Sequence, residues 1–128
     1  MLGLIWAMGA ALLLTASAGF MAEGATPMGT FACRLLSAEQ FDGNTDNLIP
    51  SSIGEITLDG SGGYTQGMGA GTVVFETGAL RFTSGNLSGT VAVVRHDAKG
   101  RRYLHIDGTV MNAPQGEPKF GDHICSEK

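Results

Sequence analysis

From residue 29 to residue 125 apolar and polar side chains alternate with a period of two, in short runs broken by glycine, asparagine and aspartate. Leu80 and Phe82 flank Arg81, and Leu104 and Ile106 flank His105. Such alternation places one set of side chains on each face of a strand. The runs fall at residues 29–36, 52–59, 64–66, 72–76, 79–83, 87–95, 102–110 and 119–125. Eight short strands with turn signals every ~8–12 residues are the mark of an antiparallel sandwich or barrel. The inward set is expected to comprise Phe31, Ile56, Leu58, Tyr64, Val73, Phe75, Leu80, Phe82, Leu87, Val91, Val93, Leu104, Ile106, Phe120 and Ile124. Residues 37–50 break the pattern: they are polar, carry the turn signal Asp42-Gly43-Asn44 and end at Pro50, with room for a short helix over residues 37–41.

Two cysteines, Cys33 and Cys125, stand near the two ends of this patterned region. Paired thiols persist as disulfides in oxidising compartments. A Cys33–Cys125 bridge requires the first and last strands to lie side by side, as they do when a meander of eight strands closes on itself. The expected fold is therefore all-β: one small antiparallel meander closed into a barrel of about eight strands, following an N-terminal signal helix. It fills residues 29–128, with residues 19–28 as a flexible lead.

The start of the chain has a different character. Residues 2–14 form an unbroken apolar run, and Thr15-Ala16-Ser17-Ala18-Gly19 follows it. This is the layout of a signal-peptide core and its small-residue cleavage site. Cleavage is expected after Ala18, with Ala22 as the second choice, so that residues 1–18 form the signal peptide. No Lys or Arg precedes the run, and residues 2–22 carry no charge. An uncleaved segment of that length could reach across a bilayer, and it would be the only contact with a membrane. The expected destination is the periplasm or the exterior.

Charge narrows the partners. With 8 basic and 12 acidic residues among 128, and a net charge of −4, the chain lacks the basic footprint that nucleic acid requires. Its 20 glycines sit in a sequence that is 43% hydrophobic, so they read as turns and tight corners of a sheet rather than as disorder.

A short exported chain with a β-meander and bridged ends resembles the lipocalin-like, or calycin, barrels. Gly29-Thr30-Phe31 stands where that superfamily often has G-x-W on its first strand, with Phe in place of Trp, and the chain is shorter than typical lipocalins. The turn signals Asp59-Gly60…Tyr64, Phe82-Thr83-Ser84-Gly85 and Leu87-Ser88-Gly89 are similar to those of small bacterial exported proteins.

Catalytic motifs are few. Asp59-Gly60-Ser61-Gly62-Gly63 is a glycine-rich turn with Asp and Gly transposed relative to the serine-protease motif, and no G-x-S-x-G elbow occurs. The run Gly67-Met68-Gly69-Ala70-Gly71 precedes a β-branched strand rather than a helix and lacks the Lys-Ser/Thr of a phosphate loop. Neither a cofactor nor a metal is implied. His96, His105 and His123 have Asp97, Asp107 and Asp122 close by in sequence, without metal-ligand spacing. The best polar row is Tyr103/His105/Asp107, on the strand face opposite Leu104 and Ile106. It faces solvent in the expected orientation and would line a pocket if the faces were inverted. The leading expectation is a non-enzymatic ligand-binding or interaction module, whose partner is a small apolar molecule or an envelope or extracellular protein. The alternatives are an enzyme built on Tyr103/His105/Asp107, and a structural envelope protein or secreted inhibitor.

Overall fold

The structure is a computed structural model that describes residues 26–128. The expected signal segment and most of the lead to the barrel lie outside the described residues. Among the described residues no helix is long and apolar enough to cross a membrane. Eight strands follow one another: β1 (Met28–Leu36), β2 (Leu48–Asp59), β3 (Gly63–Gln66), β4 (Gly69–Glu76), β5 (Ala79–Phe82), β6 (Val91–His96), β7 (Arg102–Ile106) and β8 (His123–Glu127). Each pairs antiparallel with the next, and β8 pairs with β1 to close the barrel. Cys33 and Cys125 face each other across that seam and are joined by a disulfide. The expected fold class is what forms.

The interior is packed with the barrel's own side chains. Phe31, Ile56, Leu58, Tyr64, Leu80, Phe82, Leu104 and Ile106 are buried in one apolar cluster that also holds both cysteines. Each such side chain stabilises the fold by about 1.5–3 kcal/mol when fully removed from water. Tyr64 brings a hydroxyl inside and satisfies it twice: it donates to the Ser84 carbonyl at 2.7 Å and accepts from the Leu87 N–H at 2.9 Å. That approach requires Gly71, since a Cβ there would lie 2.7 Å from the Tyr64 ring.

The two rims differ. One carries short turns at residues 60–62, 77–78 and 97–101, together with the start of β1 and the end of β8. Thr77 and Gly78 both take positive φ, as a two-residue hairpin turn demands. On this rim the Arg102 guanidinium lies 5.3 Å over the Phe31 ring and donates to the Met28 carbonyl. The other rim carries the long connections, residues 37–47, 83–90 and 107–122. There Val110 takes φ +70° at the centre of a γ-turn, with the Met111 N–H donating to the Thr109 carbonyl. A β-branched residue in that region is strained by about 1–3 kcal/mol. Packing of the Val110 side chain on the inner cluster offsets the strain.

Several local expectations are corrected. Residues 37–41 are not helical; a 3-10 turn forms instead at Thr45–Asn47, capped by the Asn44 side chain. Pro50 does not end the irregular stretch but lies within β2, opposite Arg34. Beside it β2 bulges, running five residues from Pro50 to Glu55 while β1 runs two from Ala32 to Arg34. The expected strand over residues 87–95 begins only at Val91, because hydrogen bonds from Ser88 to Gly85 and from Thr90 to Leu87 fold the preceding residues into turns. Those turns shift the parity: Leu87 is buried, but Ala92 and Val94 rather than Val91 and Val93 then join the inner cluster. β7 stops at Ile106 because Asp107 starts a turn, accepting from the N–H and hydroxyl of Thr109. β8 begins at His123, after a turn at residues 119–121 that leaves Phe120 exposed (68%) instead of inward. Ile124 is fully buried, but on the barrel's outer face, since its neighbour Cys125 points inward.

Candidate functional site

β7 points Leu104 and Ile106 into the barrel and Tyr103 and His105 out of it, while Asp107 follows in the turn beyond. The outward pair is nonetheless buried, with Tyr103 6% and His105 0% exposed. Two long loops fold back over this outer face and cover it.

Residues 37–47 cover Tyr103. Its ring meets Phe41 edge-on at 5.0 Å and packs with Leu36, Leu48 and Ile124 in a second apolar cluster outside the barrel. Burial there pushes the phenol up from its ordinary value. The loop is held by the Ser37 N–H and hydroxyl, which both donate to the Asn47 carbonyl.

Residues 107–122 cover His105. The imidazole Nε2 lies 2.7 Å from Asp122 Oδ2, and the Arg95 Nε–H donates to Nδ1 at 3.1 Å. An arginine can only donate, so Nδ1 is the acceptor, and the proton sits on Nε2, donated to the carboxylate. Burial pushes His105 below the ordinary histidine value, with the Arg95 and Lys119 charges acting the same way against the opposing pull of Asp122. The ring is neutral and both nitrogens are engaged. For Asp122 burial acts upward, but bonds from His105 and from the Lys119 and Gly108 N–H groups outweigh it and hold the carboxyl low. Asp107 is held low by the Thr109 N–H and hydroxyl and accepts from Lys119 Nζ at 3.3 Å. Arg95 also donates to the Gly116 carbonyl at 2.6 Å, fastening the middle of the loop.

The expected row is thus divided. His105 and Asp107 share a network through Asp122 and Lys119, whereas Tyr103 belongs to the apolar cluster. The sequence offered Asp122 as one of three carboxylates near the histidines. Arg95 and Lys119 gave no signal beyond their charge, because loop closure brings them in. The three histidines stay apart: His96 is exposed on the short-turn rim, and His123 faces into the barrel at the long-loop rim. Among the described residues no three His, Cys, Asp or Glu side chains gather as metal ligands. The clefts of the outer surface border the 37–47 loop; one of about 390 Å³ is lined by Asp42, Asn44, Thr45, Lys99 and Arg101.

Compared with known proteins, the chain matches no family model, no curated sequence and no solved structure. Its closed eight-stranded antiparallel barrel is compatible with a calycin-like fold. The bridge between β1 and β8 is consistent with an oxidising, exported environment.

Proposed function

We propose that this protein is an exported, non-enzymatic binding module of lipocalin-like build, which recognises its ligand or partner at the long-loop rim. One observation carries the reading: the histidine of the polar row, His105, has both nitrogens committed to Asp122 and Arg95 beneath a loop. A general base needs a free nitrogen within reach of a substrate proton, and His105 offers none. The interior supports the same reading, since Phe31, Leu58, Tyr64 and Phe82 occupy the space an enclosed apolar ligand would take. Recognition is then left to the rim, and Tyr103, His105 and Asp107 serve it by fixing the two loops in place.

Native mass spectrometry of protein made by export tests this directly. The expected result is a chain starting at Gly19, two hydrogens lighter than the reduced form, that retains a small molecule or a compartment-matched protein in stoichiometric amount. Turnover of any substrate that His105→Gln abolishes while the fold stays intact would overturn the non-enzymatic reading.

A further inference from the structure

One side chain ties the middle of the 107–122 loop to the barrel wall. Arg95 of β6 donates from Nε to His105 Nδ1 at 3.1 Å and from Nη2 to the Gly116 carbonyl at 2.6 Å, and its Nη1 lies 3.6 Å from Glu117 Oε2. The end of the loop is tied separately, through Asp122, which accepts from His105 Nε2 and from the Gly108 and Lys119 N–H groups. His105 thus stands between two fastenings of one loop, one at each ring nitrogen. These respond differently to a proton. The guanidinium is always cationic and has only donors, so Nδ1 carries the lone pair of the neutral ring and is the one place on it where a further proton can go.

We infer that the Arg95–His105 contact is a proton-operated latch: protonation of Nδ1 expels Arg95, and the loop leaves the wall around Gly116 and Glu117 while its Asp122 end stays bound. Once Nδ1 is protonated, two donors on two cations face each other with no acceptor between them, which is repulsive and leaves both unsatisfied. The same proton turns the bond from Nε2 to Asp122 into one between opposite charges, which is stronger. The direction with pH follows. In the closed form burial and the Arg95 and Lys119 charges hold the ring below its ordinary value against the pull of Asp122. Arg95 is already 24% exposed, and swinging it into water removes one of the opposing charges. The released form therefore binds the proton more tightly, and falling pH shifts the population toward it.

The other groups around the ring keep their charge through this change. Asp107 and Asp122 are held low and stay ionised, while Lys119, which bridges them, is held high and stays cationic. β8 opposes His105 with the apolar Ile124, its His123 pointing into the barrel, and the 37–47 loop meets the neighbouring Tyr103 with the Phe41 ring. The Tyr103 phenol, pushed up by burial, stays neutral. A cleft of about 280 Å³ already separates Gln40 and Phe41 from Glu117 and Pro118, and withdrawal of the Glu117 side widens it. The inference rests on the binding-module reading and supplies its regulation, since acid frees one of the two loops that shape the recognition surface.

Nitrogen-15 relaxation of the exported, disulfide-intact protein from about pH 7.5 to about pH 4.5, which spans histidine titration, tests the latch beside the His105 ring resonances. Residues 115–117 should fall from an order parameter of about 0.85 to below about 0.6 as the His105 ring protonates, while Gly108 and Lys119 keep theirs. The amide of His105→Gln can donate to Asp122 and accept from Arg95 but takes up no proton, so that variant should keep residues 115–117 ordered throughout. Arg95→Met should leave them mobile already at neutral pH and raise the pH at which His105 titrates, which decides the matter even where His105→Gln does not fold. Ordered residues 115–117 beside a protonated His105 would overturn the latch. Equal loosening of Gly108 and Lys119, a ring that stays neutral until the barrel unfolds, or an acid response that persists in either variant would do the same. Acid release in a protein that retains no ligand or partner sinks the binding-module reading and leaves the latch standing. A retained partner beside a loop indifferent to pH sinks the latch alone.

Discussion

The two faces of β7 and β8 are both buried, but by different means. Inside the barrel, Leu104, Ile106 and Cys125 meet other strands of the same sheet in one apolar cluster. Outside, Tyr103, His105 and Ile124 meet loops, and the contacts divide into an apolar cluster around Phe41 and a polar network around Asp122. The inner face follows from closure of the meander, and apolar burial stabilises it together with the Cys33–Cys125 bridge. The outer face has to be built by residues 37–47 and 107–122, whose backbone groups need named partners once they are pressed against the wall. Four side chains in a row on β7, from Tyr103 to Ile106, are consequently out of solvent, a pattern more usual for strands covered on both sides.

The largest effect should come from the bond beneath both faces. Replacing Cys33 and Cys125 together with Ser is expected to lower the unfolding free energy by about 4 kcal/mol, given the 92-residue separation of the bridged cysteines. Urea titration of the two proteins measures the loss, and a change below about 1 kcal/mol would show that strand pairing alone holds the seam. Next in size is Asp122→Ala, which leaves His105 Nε2 and the Gly108 and Lys119 N–H groups without their acceptor. About 3 kcal/mol is expected, since several buried donors lose their acceptor at once. Hydrogen exchange separates the faces here: the amides of residues 107–122 should lose protection in this variant while the β3–β5 amides keep theirs.

Acid should probe the same network. His105 and His123 both have folded pKa values below the unfolded one, so as pH falls below ~6.5 the unfolded chain takes up protons first. Stability should therefore decline between about pH 7 and pH 5, by at most about 1.4 kcal/mol per pH unit for each histidine, and level off once the folded rings protonate. His105→Gln should make that slope shallower in urea midpoints compared at two pH values; an unchanged slope would place the acid sensitivity elsewhere. The smallest effect is expected for Phe41→Ala, about 1 kcal/mol, because the ring is only partly buried and contributes mainly its edge contact to Tyr103. Fluorescence-detected melting should register it with the barrel otherwise unchanged.

Inner-face residues were legible in sequence wherever a strand had a single buried face or a fixed parity, as with Leu80, Phe82, Leu104 and Ile106. Closure was legible through Cys33 and Cys125. What stayed hidden had a shared cause: contacts made by irregular segments leave no periodic trace. Alternation assigns Tyr103 and His105 to solvent because it carries no information about a loop returning over the strand. It also fails across residues 84–90, where turns with no fixed residue count reset the parity and exchange Val91 and Val93 for Ala92 and Val94.

Because β1 starts and β8 ends on the short-turn rim, with the Lys128 N–H still bonded to the Thr30 carbonyl, both exits from the barrel lie at the pole opposite the long connections. A label, a surface linkage or a fused domain attached at either exit would hold the molecule upright and leave the far pole unobstructed. One immobilised preparation could then serve for presenting that pole to small molecules and to proteins alike.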